Sequence, residues 1–393
     1  MRWFRDAWLD GERARAEGVD LRAVTSWALF GSQGWDTLLT GEGRYEPGAF
    51  DVSSGRPRPT ALAGLLPSLA SGEVPADLSP GWWRRDLRLH YPAVRVADAN
   101  SANDELQAPQ GAPLLITGAS GTLGRAMAAA CERRGLAFVL TGRSELDLLD
   151  KQSIAAALDR HQPWALINCS GWVRVDDAED AADACLAVNS DGAAALSRAC
   201  DQRGVRTLSF SSDLVFSGRK RSAYLERDAV APRNVYGHSK AQMERYIGGL
   251  GGRHLVVRTA AFFSPFDEAN FAVHLARSLI RGERFAAAED YVVTPTYVPD
   301  LCDASLDLLI DGETGIWHLS NEEAVSWSDF GARIACGLGH DPALVAGVPG
   351  HRIGWRAKRP RASAIASERG ALMPSLQSAI DRFCAGFTAR EAA

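Results

Sequence analysis

A tyrosine and a lysine four residues apart, in Tyr236-Gly-His-Ser-Lys240, share one face of a helix start. An ammonium beside a phenol favours the phenolate, so such a pair can exchange a proton near neutral pH. The spacing is common by chance, and alone it marks only a helix surface. Two further features give it a context. The run Thr207-Leu-Ser-Phe210 ends in Ser211-Ser212-Asp213, placing a hydroxyl at the carboxyl end of an apolar strand. Leu114-Leu-Ile-Thr117 runs straight into Gly118-Ala-Ser-Gly121-Thr-Leu-Gly124. Glycines in a strand-to-helix turn let backbone approach a pyrophosphate, whose charge rests on the helix N-terminus. Gly118, Ser120, Gly121, Thr122, Leu123 and Gly124 are therefore candidate cofactor contacts. Glycines kept only for tight packing are the alternative, which the placement after a first strand disfavours.

The second strand of the same pattern ends in Thr141-Gly142-Arg143. A dinucleotide fold that selects NAD usually carries an acid there, whereas an arginine suits a 2′-phosphate. Arg143 thus points to NADP(H). Asp147 or Asp150 could instead meet a free ribose, which leaves NAD(H) open, and a solvated loop arginine is the plainer reading.

The elements that must position these groups alternate. Strands are expected at Leu114–Thr117, Ala137–Leu140, Ala165–Asn168, Thr207–Phe210 and His254–Arg258. Helices are expected at Gly124–Arg134, Lys151–His161, near Ala178–Val188, Ala193–Arg203 and Ser239–Leu250. Short, wholly apolar strands separated by helices make a parallel sheet covered on both faces. The fold expected for residues 113–390 is α/β, a doubly wound Rossmann-like sheet, with a smaller substrate lobe mainly over 259–390. Residues 73–112 carry Pro75, Pro80, Pro92 and Pro109 and end in an aperiodic polar stretch, a linker composition. Residues 1–72 hold Trp3, Trp8, Trp27 and Trp35 and form a separate zone.

Length and charge bound the rest. A chain of 393 residues suggests more than one domain. A net charge of -5 argues against nucleic acid or an anionic membrane as the main partner. Seven scattered cysteines without a C-x-x-C pair suggest neither a disulfide framework nor a metal site, and reduced thiols in a cytoplasmic protein are expected. No run of about 18 apolar residues suggests a membrane span.

A wider set of residues carries a resemblance. Asn168-Cys-Ser-Gly-Trp-Val-Arg-Val-Asp176-Asp-Ala-Glu179 and Ser211-Ser-Asp-Leu-Val-Phe-Ser-Gly218 are followed by Tyr224-x-Glu226, Pro232 and Tyr236-Gly-x-Ser-Lys240. Asn270-Phe271, Thr294-Pro-Thr296, Asp300-Leu301, Gly315-Ile-Trp-His-Leu319, Ser326-Trp-x-x-Phe330, Arg359-Pro360 and Ser363 continue the series. Residues 113–390 resemble the dTDP-4-dehydrorhamnose reductases. The resemblance implies that Ser212 hydrogen-bonds the sugar carbonyl, Tyr236 donates the proton, and Lys240 holds the cofactor ribose and tunes Tyr236. It implies hydride delivery from NAD(P)H to C4 of a 4-keto-6-deoxy sugar on a nucleoside diphosphate. Asn168, Cys169 and Ser170 would lie at the nicotinamide, and Trp172, Val173, Asp213, Leu214, Asn270 and Arg359 would face the substrate. Where the family has threonine this chain has Ser212, and the tyrosine after S-T-D is Leu214. A Tyr-Thr pair is Trp172-Val173, and D-Q-x-G reads Asp290-Tyr-Val-Val. The sugar need not be the rhamnose precursor. An epimerase or dehydratase with tightly bound NAD, or a non-catalytic sugar-nucleotide-binding protein, are the competing readings.

The N-terminal zone has its own resemblance. Val24-Thr-Ser-Trp-Ala-Leu-Phe30, Trp35, Gly43-x-Tyr-x-Pro-Gly-Ala-Phe-Asp51 and Arg56-Pro-x-Pro-Thr60 are similar to the last strand and helix of a family 1 glycosidase barrel. About 70 residues are far short of a whole eight-stranded barrel. Neither carboxylate segment of a retaining glycosidase is present, and Glu42 and Glu46 read as solvated loop residues. A short βα fragment is expected, partly exposed, needing a partner or a second copy of the chain over its aromatic surface.

Overall fold

The computed structural model describes residues 1–33, 45–53, 55–74, 112–251 and 253–391. They fall into two compact units, Leu114–Ala130 with Val139–Ala393, and Met1–Pro113 with Cys131–Phe138. Trp35, Glu42, Gly43 and nearly all of the expected linker, from 75 to 111, lie outside the described residues.

The larger unit is built on a six-stranded sheet. In chain order its strands are β1 (Leu114–Thr117), β2 (Phe138–Thr141), β3 (Ala165–Asn168), β4 (Arg206–Ser212), β5 (His254–Thr259) and β6 (Gly315–His318). Their spatial order is β6-β5-β4-β3-β1-β2, and every ladder from β6 to β1 is parallel. Leu114, Leu115, Ile116, Leu166 and Ile167 are wholly buried, as strands covered on both faces require. The crossovers are α1 (Thr122–Arg133), α2 (Lys151–His161), α3 (Ala193–Asp201) and α4 (Val235–Gly248). Asp150 caps α2 by accepting from the Gln152 N–H at 2.8 Å. Between β2 and α2 the chain makes no strand, but Leu146 and Leu148 still pack with Leu115, Ile154, Leu158 and Leu166. The helices expected near Ala178–Val188 and Ala193–Arg203 are one helical run. It passes from Ala182–Leu186 through a π-turn at Ala187–Gly192 into α3.

The stretch 259–390 is divided. α6 (Val298–Asp311) leads into β6, which returns to the large sheet and pairs with β5. The remainder packs α5 (Phe271–Ile280), α7 (Trp327–Gly337) and α8 (Leu376–Glu391) around Phe263, Phe330, Ile380 and Phe383. Short ladders pair Phe285–Ala288 with Val345–Val348, and Val292–Val293 with Val325–Ser326.

In the smaller unit, helices Arg2–Ala16 and Ala61–Ala70 meet at Phe4, Leu65 and Leu69. Phe50–Asp51 pairs antiparallel with Arg58–Pro59. Asp51 holds that hairpin by accepting from Tyr45 Oη at 2.8 Å and pairing with Arg58 at 3.1 Å. Trp3 and Trp27 are exposed, the latter to 77%. Trp27, Phe30, Ser32 and the exposed Glu46 border a concavity of about 590 Å³.

Candidate active site

Strand order reverses at β1, whose neighbours are β2 and β3. In such sheets the ligand crevice opens at the carboxyl ends of the strands beside the reversal. Thr117 lies opposite Asn168, and Asn168 opposite Ser209, so β1 and β3 end level while β4 runs on to Ser212.

The glycine turn follows β1. Gly118 adopts φ +88°, and a Cβ there would lie 2.8 Å from the Cys169 carbonyl oxygen. A Cβ on Gly124 would lie 2.2 Å from the Gly118 oxygen, so this glycine lets α1 start against the strand end. At Gly121 a Cβ would meet only the Gly118 oxygen, at 3.4 Å. The outer glycines thus answer to packing, and the middle one leaves the backbone open to a ligand. Ser120 is exposed, Thr122 and Leu123 begin α1, and no acid occupies its first turn. That helix end fits a pyrophosphate. Beside it, Asn168 Oδ1 accepts from Thr117 Oγ1 (2.9 Å) and from the Ser170 N–H (3.1 Å), fixing the loop that carries Cys169 and Ser170.

Arg143 stands at the rim. Its side chain is largely exposed and donates to Asp147 at 3.2 Å. Asp147 is held below the usual carboxylate range by the Leu149 N–H and then by Arg143. A surface pair of this kind is weak, so the guanidinium can turn to a phosphate.

Tyr236 and Lys240 sit in the first turns of α4. Asn234 caps that helix, accepting from the Gly237 N–H at 2.7 Å, and Glu179 accepts from the Val235 N–H at 2.9 Å. A Cβ on Gly237 would lie 2.2 Å from the Leu214 oxygen. The glycine therefore allows α4 to press against the end of β4, where the Ser212 hydroxyl hydrogen-bonds Tyr236. Lys240 Nζ donates to the Phe210 carbonyl at 3.0 Å and lies 5.9 Å from the Tyr236 ring centroid.

The electrostatics depart from the expected phenolate. Burial, and then the Asp213 carboxylate, raise the Tyr236 pKa above its ordinary value. Lys240 is not among the groups that shift Tyr236; its Nζ donates to Phe210. Burial lowers Lys240 itself to about 8, against the opposing pull of Cys185 and Glu244. A neutral phenol is the form that can donate a proton.

The expected substrate-side residues divide. Trp172 is half-buried and Val173 is 74% exposed, at the end of the loop after β3, and Leu214 is half-buried beside Ser212. Asp213 is buried behind Ser212, from which it accepts at 2.9 Å, and it offers no open face to a sugar. Asn270 is a helix cap. It accepts from the Val273 N–H and donates to the Ser264 and Asp267 carbonyls, so its amide is saturated by backbone. Arg359 is committed as well. It forks onto Asp176 at 2.8 and 3.1 Å and stacks on Trp355, tying the C-terminal segment to the 176–179 turn.

One residue escaped the sequence reading. Asn189, in the π-turn, accepts from the Trp172 N–H (2.7 Å) and donates to the Trp172 carbonyl and to Ser239 Oγ (both 3.0 Å). Ser239 in turn donates to the Tyr236 carbonyl at 2.7 Å. Asn189 thereby joins the loop after β3 to the helix bearing Tyr236. An asparagine inside Ala187-Val-Asn-Ser-Asp-Gly192 was the available signal, since π-turns gather at functional sites.

Fold and site together define an NAD(P)-dependent oxidoreductase of the extended short-chain dehydrogenase class. Comparison with known proteins narrows this. The chain belongs to the RmlD substrate binding domain family, whose model matches residues 112–380. A dTDP-4-keto-6-deoxy-D-glucose reductase of Streptomyces niveus is 33% identical over 248 residues, covering 63% of this chain and 86% of that protein. A dTDP-4-dehydrorhamnose reductase of Streptomyces griseus is 32% identical over 261 residues, 65% and 86% of the two chains. Among solved structures, dTDP-4-dehydrorhamnose reductase of Bacillus anthracis in complex with NADP superposes with a TM-score of 0.65 at 27% identity. It covers 69% of this chain and 98% of that one.

Proposed function

We propose that this protein reduces the 4-keto group of a nucleoside-diphosphate 4-keto-6-deoxy sugar with NADPH. The observation that carries the reading is the convergence of Ser212, Tyr236 and Lys240 beside the Gly118–Gly124 turn at one sheet edge. When bound, the nicotinamide supplies the hydride. The α1 N-terminus, with Gly121 and Thr122, holds the diphosphate, and Arg143 meets a 2′-phosphate. Lys240 presents its ammonium to the ribose from a site fixed by the Phe210 carbonyl. Tyr236, kept protonated by burial and by Asp213, gives its proton to the carbonyl oxygen as the alkoxide forms. Ser212 steadies that oxygen, and Trp172 with Leu214 shapes the sugar side, in place of the family's more polar pair.

The scattered cysteines, without a C-x-x-C pair, and the cofactor class support a cytoplasmic setting. Among the described residues no helix is long and apolar enough to cross a membrane. The exposed aromatics of residues 1–72 support a covering partner or a second copy of the chain.

Absorbance at the nicotinamide band, followed with a panel of 4-keto nucleotide sugars, tests the reading. Net oxidation of NADPH is expected. Turnover without net cofactor change would instead identify an epimerase.

A further inference from the structure

Ser212 has one proton and two lone pairs. Its proton goes to Asp213 Oδ1 at 2.9 Å, and one lone pair receives the Leu214 N–H at 3.1 Å. Tyr236 stands beside the same hydroxyl. In this state the hydroxyl has no proton left for a sugar carbonyl. Asp213 itself is buried and is also bonded by Ser363, a wholly buried residue of the C-terminal segment. Both Asp213 and Ser363 are buried, and yet the direction of the Ser212 proton depends on both.

We propose that Asp213 is a positioning residue that decides whether Ser212 accepts or donates at the substrate carbonyl, and that Ser363 holds it in place. The proposal rests on the reductase reading and adds a switch to its site. With Asp213 ionised, Ser212 gives its proton backward and can only accept on the substrate side. With Asp213 protonated, the acid donates to the Ser212 oxygen, and the Ser212 proton turns forward to the carbonyl. No bond to carbon changes; Asp213 takes up one proton from solvent, and the Ser212 proton rotates away from it. The forward donor stabilises the alkoxide, and the negative charge beside it disappears at the same time.

The groups around Asp213 are consistent with this titration. Tyr236 faces it from α4, with Lys240 beyond the Tyr236 ring, donating to Phe210. Ser363 reaches it from the C-terminal segment, whose Arg359 is neutralised by Asp176. Burial raises the Asp213 carboxyl to about 6, with the Ser363 and Ser212 bonds pulling the other way.

Two measurements test the inference. In the first, the carboxylic-acid C=O band is followed by infrared spectroscopy during pH titration of the NADP⁺-bound protein, which needs no sugar. A band with its midpoint near 6 is expected in the wild type. It should vanish in Asp213→Asn, and its midpoint should rise in Ser363→Ala and in Ser212→Ala, each of which removes a donor to the carboxylate. In the second, the single-turnover rate of NADPH oxidation with a 4-keto nucleotide sugar should rise on the order of tenfold as the pH falls through that midpoint, part of the worth of one oxyanion donor. The rise should be absent in Asp213→Asn and displaced to higher pH in Ser363→Ala. An infrared midpoint unmoved by Ser363→Ala overturns the inference, as does a rate limb that persists in Asp213→Asn. Failure of every 4-keto sugar to react would count against the substrate reading alone, and the infrared result would still decide the state of Asp213.

Discussion

Tyr236 is raised and Lys240 is lowered, and these two shifts have opposite consequences for activity. The phenol stays protonated well past neutrality, so its own ionisation sets no limit on reduction there. The ammonium is present below about 8 and lost above it. Activity should therefore fall as pH rises through about 8, read as kcat/KM for NADPH across the alkaline range; a limb near the ordinary lysine value would remove the assignment. Tyr236→Phe should lower kcat by roughly 10²–10⁴-fold, the usual worth of a positioned proton donor, with NADPH affinity nearly unchanged. A Phe variant that keeps most of its kcat would show that the proton comes from elsewhere. At the rim, Arg143→Asp should weaken NADPH far more than NADH, because a carboxylate repels the 2′-phosphate and accepts from a free 2′-hydroxyl. Fluorescence titration with both cofactors decides this, and equal losses would mean that Arg143 does not read the phosphate.

At the scale of elements, the close approach of α4 to the end of β4 is what brings Tyr236 to Ser212. Gly237→Ala would set a Cβ 2.2 Å from the Leu214 oxygen, where backbone stands on both sides and something must shift. Overpacking of this kind typically costs about 1–3 kcal/mol. We expect a lowered Tm and a disproportionate loss of kcat. Gly248→Ala, at the far end of α4, meets nothing within 4 Å and should leave both intact. Equal behaviour of the two variants would separate the α4 contact from catalysis. The sheet itself was legible in the sequence, since β1, β3 and α2 follow apolar runs and a capping aspartate that need no tertiary knowledge. Glycine spacing and the Tyr/Lys pair made the catalytic edge legible too. What the chain did not disclose are contacts between distant segments. Asn189 bonding Trp172, Arg359 forking onto Asp176, and Asn270 closing on Ser264 all depend on where loops return. Periodicity carries no information about such returns. The Tyr236 shift was hidden for the same reason, because it depends on burial and on Asp213 rather than on the four-residue spacing.

Across the whole molecule, the reductase unit contains the crevice, the C-terminal helices and the sheet except for Phe138 of β2. Among its described residues, the 1–72 segment packs helices Arg2–Ala16 and Ala61–Ala70 at Phe4, Leu65 and Leu69 and pairs Phe50–Asp51 with Arg58–Pro59. A chain beginning near Ala108 should retain NADPH-dependent activity, and the intact chain should not hydrolyse an aryl glycoside. Loss of cofactor binding on truncation would contradict the first expectation, and aryl glycoside cleavage the second. The central claim is that hydride passes from NADPH to C4 of a nucleotide-linked 4-keto sugar. It is tested most directly with NADPH deuterated at the reactive nicotinamide carbon, by locating the label in the product by NMR. Deuterium on C4 of the product sugar, in proportion to the NADP⁺ formed, is the expected result. Product without the label, or label that stays with the cofactor through turnover, would contradict it.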